Sequence, residues 1–284
     1  QNPHSHQEPP AGPRPTLIGN SLSFIKRQQK DWVVTAVRTS LDKFAYQMVF
    51  PYLSVYIVAL GATGTQLGFV NSLAMILAGI AALFVGWMID RIGAKKIYLI
   101  GIGLLAVSYL TYGIAQNLGM ALFAMIAYWL GFSTSVQSCS TICGNCLVNQ
   151  DRATGMMICE TVAAGVLGMV GPMAAAWIVS LFGGVRVEGI RPLFFMGFAV
   201  TVGTFAFVKA HLSDRRWHKS VCRPHLFRDM AEVLRGRNQL VKWLIIASVT
   251  QLPLGMVFPF VQVFAYSVKG AQEFVLAAMI TGSA

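Results

Sequence analysis

The chain has 284 residues, of which 55% are hydrophobic and 12% charged, about half the charged share of an ordinary soluble domain. With a mean hydropathy of +0.60, it excludes a soluble enzyme, a fibre and a disordered tail. The formal charge of +11 has to be read through its placement along the chain before any nucleic-acid partner is inferred from it.

Residues 1–34 read as a polar tail. Pro9, Pro10, Pro13 and Pro15 precede a mixed segment with Leu22, Phe24, Ile25, Lys26, Arg27 and Lys30, which suits an interfacial helix. No cleavable signal peptide is visible, and the chain opens without Met, so residues before Gln1 are expected.

Apolar segments then follow at 35–60, 66–89, 97–115, 118–148, 155–182 and 191–209, and a membrane-crossing helix needs roughly 20 such residues. Gln66 to Ile89 and Ile97 to Gln150 carry no charge at all. A basic stretch at 210–240 comes next, in which Leu226, Met230, Val233 and Leu234 recur at helical spacing, the pattern of an amphipathic linker helix. A seventh span is expected at 241–267, and an eighth begins near 271 with too few residues before Ala284 to cross a bilayer. The chain therefore reads as a fragment ending inside an element. The expected fold class is all-α, a polytopic transmembrane helical bundle, divided into the tail 1–34, a six-helix half 35–209, the linker 210–240 and the start of a second half 241–284.

With the N-terminus in the cytoplasm, 19 of the 22 Lys and Arg residues fall on that side, against Arg186, Arg191 and Lys269 on the other. This is the positive-inside asymmetry of membrane topology. The basic residues occupy separate short loops, so no nucleic-acid partner is expected.

Met48-Val49-Phe50-Pro51-Tyr52 returns as Met256-Val257-Phe258-Pro259-Phe260, an offset of 208. The first and seventh spans are thus related, as in a parallel-repeat architecture with a substrate site near the bilayer midplane between two halves.

Between the second and third spans stands Gly86-Trp87-Met88-Ile89-Asp90-Arg91-Ile92-Gly93-Ala94-Lys95-Lys96. Here the sequence resembles the major facilitator superfamily of secondary transporters, whose signature loop reads G-x-x-x-D-R-x-G-x-K/R-K/R. Gly86 permits close helix contact, and Gly93 supports a tight turn. Asp90 opposes its own helix dipole and needs Arg91 or another helix's N-terminus, while Lys95 and Lys96 anchor the loop. The resemblance implies that Asp90 and Arg91 help latch two halves in one conformation.

In the fifth span Gly165, Gly168, Gly171 and Pro172 resemble the family's Gly-rich antiporter motif, although Leu167 stands at a position that favours Gly and Ala replaces both final Gly residues. Close helix packing accounts for the same residues. In the first span, Leu41-Asp42 followed by Pro51 matches part of a pattern of drug:proton antiporters. Asp42 and Glu160 are the only carboxylates inside the expected spans, which makes them candidates for carrying a coupling proton. Arg38, four residues before Asp42, equally suits a plain ion pair.

The fourth span lacks the Arg that many proton-coupled members carry, since Phe123 to Gly131 is uncharged. It offers Ser133, Thr134, Ser135, Gln137 and Ser138 instead. Because the family's first, fourth and seventh helices help line a central cavity, the resemblance implies Gln47, Ser135, Gln137 and Gln262 as cavity candidates. Such polar groups either bind substrate or hydrogen-bond between helices.

Cys139, Cys143 and Cys146 share one helical face, where small packing residues are expected, as the spacing matches no closed zinc pattern. No metal site and no cofactor are expected, and His211, His218 and His225 read as solvated. No Walker pattern is present and no enzyme activity is expected.

The resemblance implies a secondary active transporter of a small solute working by alternating access, with proton-coupled drug or metabolite efflux as its particular form. It would sit in the plasma membrane with the lipid bilayer, a small-molecule substrate and protons as partners. A non-transporting membrane sensor on the same scaffold is the alternative.

Overall fold

A computed structural model of the chain describes residues 30–147, 151–159, 163–213 and 238–281. Among these are nine helices and no strand: α1 Lys30–Ala59, α2 Gly64–Ile92, α3 Ala94–Ile114, α4 Leu118–Cys146, α5 Arg152–Met157, α6 Ala163–Leu181, α7 Val187–His211, α8 Asn238–Ser267 and α9 Glu273–Thr281. The interfacial segment before residue 30, and the amphipathic segment and His218 and His225 of the linker, lie outside the described residues.

Local chemistry sets the helix ends. At the start of α2 the Thr63 hydroxyl accepts from the Gln66 amide at 3.3 Å, and the Gln66 side chain accepts from the Thr63 amide at 2.9 Å, a capping box that satisfies two otherwise orphaned donors. Asn117 caps α4 by accepting from the Met120 amide at 2.9 Å. Between α2 and α3 the chain reverses through one residue, Gly93, whose φ of 106° is a left-handed value that a side chain would disfavour.

The expected fifth span is described on either side of residues 160–162. Its first turn is α5, a π-helical turn follows at 158–159, and α6 carries Pro172 inside it. Pro removes a backbone donor and bends a helix, which places a bend within α6 itself.

Among the described residues, four helices are long and apolar enough to cross a membrane: α2, α3, α4 and α7, with mean hydropathies of 2.2, 1.8, 1.4 and 1.8. At 30 residues α1 is no shorter, but Lys30, Asp31, Arg38, Asp42 and Lys43 lower its hydropathy. Apolar side chains also line the outside. Phe69, Ile76, Ile80 and Leu83 of α2 are exposed, as are Met169, Met173, Trp177 and Leu181 of α6. The last four recur every fourth residue, one helical stripe turned toward lipid. The chain is an integral membrane protein.

The packing has an internal exchange relation. α1 lies against α6 and α7, α4 lies against α2 and α3, and α3 meets α7, so swapping the first three long helices for the next three preserves the neighbours. This is the repeat logic of transporter halves. Beyond this bundle, α8 rests on α1 and α2, and α9 on α6 and α1.

Two layers form the core. The larger is rich in aromatics: Tyr56 lies 4.8 Å from Phe194 and Tyr112 lies 5.0 Å from Phe194, centroid to centroid. The Tyr56 hydroxyl donates to the Tyr112 carbonyl at 2.8 Å, and Arg191 donates to the Ala115 carbonyl at 2.8 Å. These bonds join α1, α3 and α7 at one end of the bundle. The smaller layer, at the opposite end near Lys95 and Lys96, holds Trp32, Ile89, Ile97, Tyr98, Ile142 and four cysteines.

Candidate functional site: an aromatic face beside a buried ion pair

At the basic end, the loop closing α2 is built as its spacing suggests. Arg91 is exposed and its guanidinium carbon lies 5.0 Å from the Trp87 ring centroid, a cation–π stack in place of a pair with Asp90. Asp90 is exposed and makes no hydrogen bond or ion pair among the described residues. Lys95 donates to the main-chain carbonyl of Leu212, so its cation meets the carboxy-terminal, partly negative end of α7. Lys96 is exposed. At the same corner Asp31, in the first turn of α1, accepts from the Ser213 amide at 3.0 Å and from the Ser213 hydroxyl.

Deeper along α1, Arg38 is 2% exposed. Its Nη2 lies 3.5 Å from Asp42 Oδ2, and its guanidinium carbon lies 4.7 Å from the Tyr98 ring centroid. A buried cation is costly unless paired, and the helix supplies that pairing from its own next turn. Arg38 Nε and Nη2 nevertheless have no hydrogen-bond partner among the described residues.

Asp42 stands at the foot of an aromatic face. Tyr46 and Phe50 follow it at four-residue steps along α1, their ring centroids 4.9 Å apart. From α4, Tyr128 and Phe132 each lie 6.3 Å from Tyr46. Tyr46, Phe50 and Phe132 are half-buried, so these rings remain partly open. The sequence reading missed them. Their four-residue spacing was visible in each helix, but which helices meet was not.

The remaining candidates separate into distinct places. Gln47 backs onto α6: a methyl group on Gly171 would meet the Phe44 carbonyl at 3.1 Å and Gln47 Cβ at 3.2 Å, so Gly171 lets α6 lie directly against α1. Pro172 is buried beside it, and Gly165 has open space around its Cα. Gly168 lies on α6.

Ser135 is buried in the α3–α4 seam against Gly101, and its hydroxyl has no partner among the described residues. Gln137 is half-buried, donates to the Ser133 hydroxyl at 3.3 Å and sits opposite Gly86 of α2. Gln262 is buried on α8. Glu160 lies outside the described residues. The structure thus joins Arg38 with Asp42, Gln47 with Gly171 and Gln137 with Gly86, while the Asp90 loop stands apart at the basic end.

A further grouping lies between α1, α4 and the turn after α5. Cys139, Cys143 and Cys159 bring their sulfur atoms within 4.8 Å of one another, and Thr39 Oγ1 lies 3.6 Å from Cys139 Sγ and 3.8 Å from Cys159 Sγ. Cys146, the expected third member of the Cys139 stripe, is buried but outside the group.

Long apolar helices with an exchange relation between two sets of three, a charged reversal between α2 and α3, and a half-open polar and aromatic face together define a polytopic membrane bundle of repeat type. The family model described as Major Facilitator Superfamily matches residues 39–284, and the chain belongs to that family. Its relatives include the Multidrug resistance protein MdtG of Enterobacter lignolyticus (strain SCF1), 24% identical over 253 residues that cover 85% of this chain and 57% of the relative. The MdtG of Yersinia enterocolitica is 24% identical over 262 residues, covering 85% and 58%.

Among solved structures, a mutant of the nucleoside transporter NupG superposes with a TM-score of 0.69 at 18% identity, covering 88% of this chain and 63% of that one. A POT family transporter in complex with a thioalcohol-conjugated peptide gives 0.54 at 14%, covering 84% and 50%. These likenesses show the fold. The chain spans a little over half the length of the curated relatives it matches.

Proposed function

We propose that the full-length protein is a secondary active transporter that moves a small, ring-bearing solute by alternating access, in the efflux direction suggested by the name of its multidrug-resistance relatives. The aromatic face of Tyr46, Phe50, Tyr128 and Phe132 offers stacking surfaces to a flat ring, and Asp42 at its foot offers a negative charge. Gln47, Gln137 and Gln262 are the polar groups we assign to the cavity walls, Ser135 belonging to the α3–α4 seam, and Gly171 is the close contact of α6 with α1. The protein would lie in the plasma membrane with the basic end in the cytoplasm, where positive loops are retained.

The observation that carries this reading is the state of the α2–α3 loop. Lys95 is engaged by α7 of its own half, Arg91 stacks on Trp87, and Asp90 is exposed and without a partner among the described residues. An exposed carboxylate at a helix end, without a partner among the described residues, suits a latch to a second half. A latch biases the balance between two conformations without touching substrate.

The test is flux in vesicles carrying the full-length protein at matched abundance. Asp90→Asn and Arg91→Ala are expected to slow transport several-fold with membrane insertion unchanged. Wild-type flux in both variants would reject the latch. Saturable solute binding with no flux under any imposed gradient would reject transport and favour a sensor.

A further inference from the structure

We propose that Cys139, Cys143 and Cys159, with the Thr39 hydroxyl, form a binding site for a single thiophilic divalent ion of the zinc and cadmium type. The proposal is independent of the transport reading, because it rests on side chains that neither the latch nor the aromatic face uses.

Three sulfur atoms within 4.8 Å of one another, drawn from two separate segments, converge as packing alone does not require. A tetrahedral ion with metal–sulfur bonds of about 2.3 Å and a metal–oxygen bond of about 2.1 Å would place oxygen and sulfur ~3.6 Å apart and sulfur atoms ~3.8 Å apart. Thr39 Oγ1 already stands at 3.6 Å and 3.8 Å from two of the sulfurs. An oxygen thus stands at tetrahedral distance from two of the three sulfurs, and closing the site needs the sulfurs to draw together by at most ~1 Å.

Softness and charge select the ion. Thiolate ligands favour thiophilic ions over calcium or magnesium, which take oxygen. All three thiols are at most 4% exposed, in a layer with Ile142, Tyr98 and Ile97, where an unbalanced charge is expensive. Binding releases three thiol protons to water and forms three sulfur–metal bonds, with no change of oxidation state. Three thiolates around a divalent ion leave one negative charge. Arg38, adjacent to Thr39 in α1, is the cation nearest in sequence, and it would share its charge between this site and its ion-pair partner Asp42. A shell of apolar side chains then excludes competing water and strengthens the bonds.

The sequence reading grouped Cys146 with Cys139 and Cys143 and expected packing. In the structure Cys159 takes that place, which makes Cys146 an internal control in the same layer.

The test uses the full-length protein, reduced and purified anaerobically in detergent, with Cd(II) as the probe. Wild type and Cys146→Ser are expected to bind one equivalent more than Cys143→Ser and Cys159→Ser, with ultraviolet thiolate-to-cadmium absorption and proton release following that equivalent. Equal binding by wild type, Cys143→Ser and Cys159→Ser overturns the site, and so does an equal loss in Cys146→Ser. To remove dependence on how the variants fold, unsubstituted protein with and without Cd(II) is alkylated during slow thermal unfolding and mapped by mass spectrometry. Protection of Cys139, Cys143 and Cys159 together, with Cys146 unprotected, supports the site. Protection of none, or of all four alike, overturns it.

Discussion

Gly101 of α3 and Gly131 of α4 press their backbones together. A methyl group on Gly131 would lie 2.8 Å from the Gly101 carbonyl oxygen, and one on Gly101 would lie 3.1 Å from the Gly131 carbonyl oxygen and 2.6 Å from the Ser135 hydroxyl. In lipid, helices associate through close packing rather than hydrophobic burial, so this reciprocal contact is a principal seam of the bundle.

Gly131→Ala is accordingly expected to lower the unfolding free energy in detergent by about 1–3 kcal/mol, the usual cost of overpacking a tight contact. Gly103, two residues from Gly101 and with open space around it, is the control. Gly103→Ala is expected to be neutral or to add up to about 1 kcal/mol through helix propensity. Thermal unfolding of the two variants side by side checks the pair.

The buried pair of Arg38 and Asp42 sets a second expectation. Removing one partner of a buried pair costs about 3–5 kcal/mol, and Asp42→Leu belongs near the lower end because its side chain is 16% exposed. The double change Arg38→Met with Asp42→Leu is expected to recover much of that loss, since no cation is then left stranded. A double-mutant cycle measures it, and simple additivity of the two single changes would mean that the pair is not coupled.

Coupling is tested on the same carboxylate and on Glu160. In vesicles, compared at equal abundance of folded protein because Asp42→Asn also leaves Arg38 unpaired, Asp42→Asn or Glu160→Gln in the full-length protein is expected to abolish pH-gradient-driven flux while substrate exchange continues. If both variants keep full gradient-driven flux, neither carboxylate carries the coupling proton.

Tyr46 is the ring that touches both partners on α4. Tyr46→Ala is expected to weaken the apparent affinity for a ring-bearing solute about 2- to 12-fold, equivalent to ~0.5–1.5 kcal/mol of stacking, with Tyr46→Phe close to wild type. The check is KM for flux; an unchanged KM in Tyr46→Ala places solute binding elsewhere.

Hydropathy and loop charge made the helical membrane fold legible, and the spaced glycines and charges from Gly86 to Lys96 made the family legible. Periodicity says which side of α1 carries Asp42, Tyr46 and Phe50, yet nothing in one sequence says that α4 turns Tyr128 and Phe132 toward them. The thiols teach the same lesson. Cys146 shares a helical stripe with Cys139 and Cys143, but Cys159, in the turn after α5, is the thiol that joins them in space.

The contact of Asp31 with Ser213 spans 182 residues, and the bond from Lys95 to Leu212 closes at the same corner. During synthesis α1 therefore cannot be fastened until the ribosome has made the end of α7. At about 5–20 residues per second this takes about 9–36 s. Over that interval the first helix, with its buried Arg38, waits in the membrane without its final neighbours. The corner where Lys95, Leu212, Asp31 and Ser213 meet marks the moment when the half is complete. Changes at those four residues would be expected to alter the yield of inserted protein, and its susceptibility to quality-control proteolysis, before they alter anything the finished molecule does.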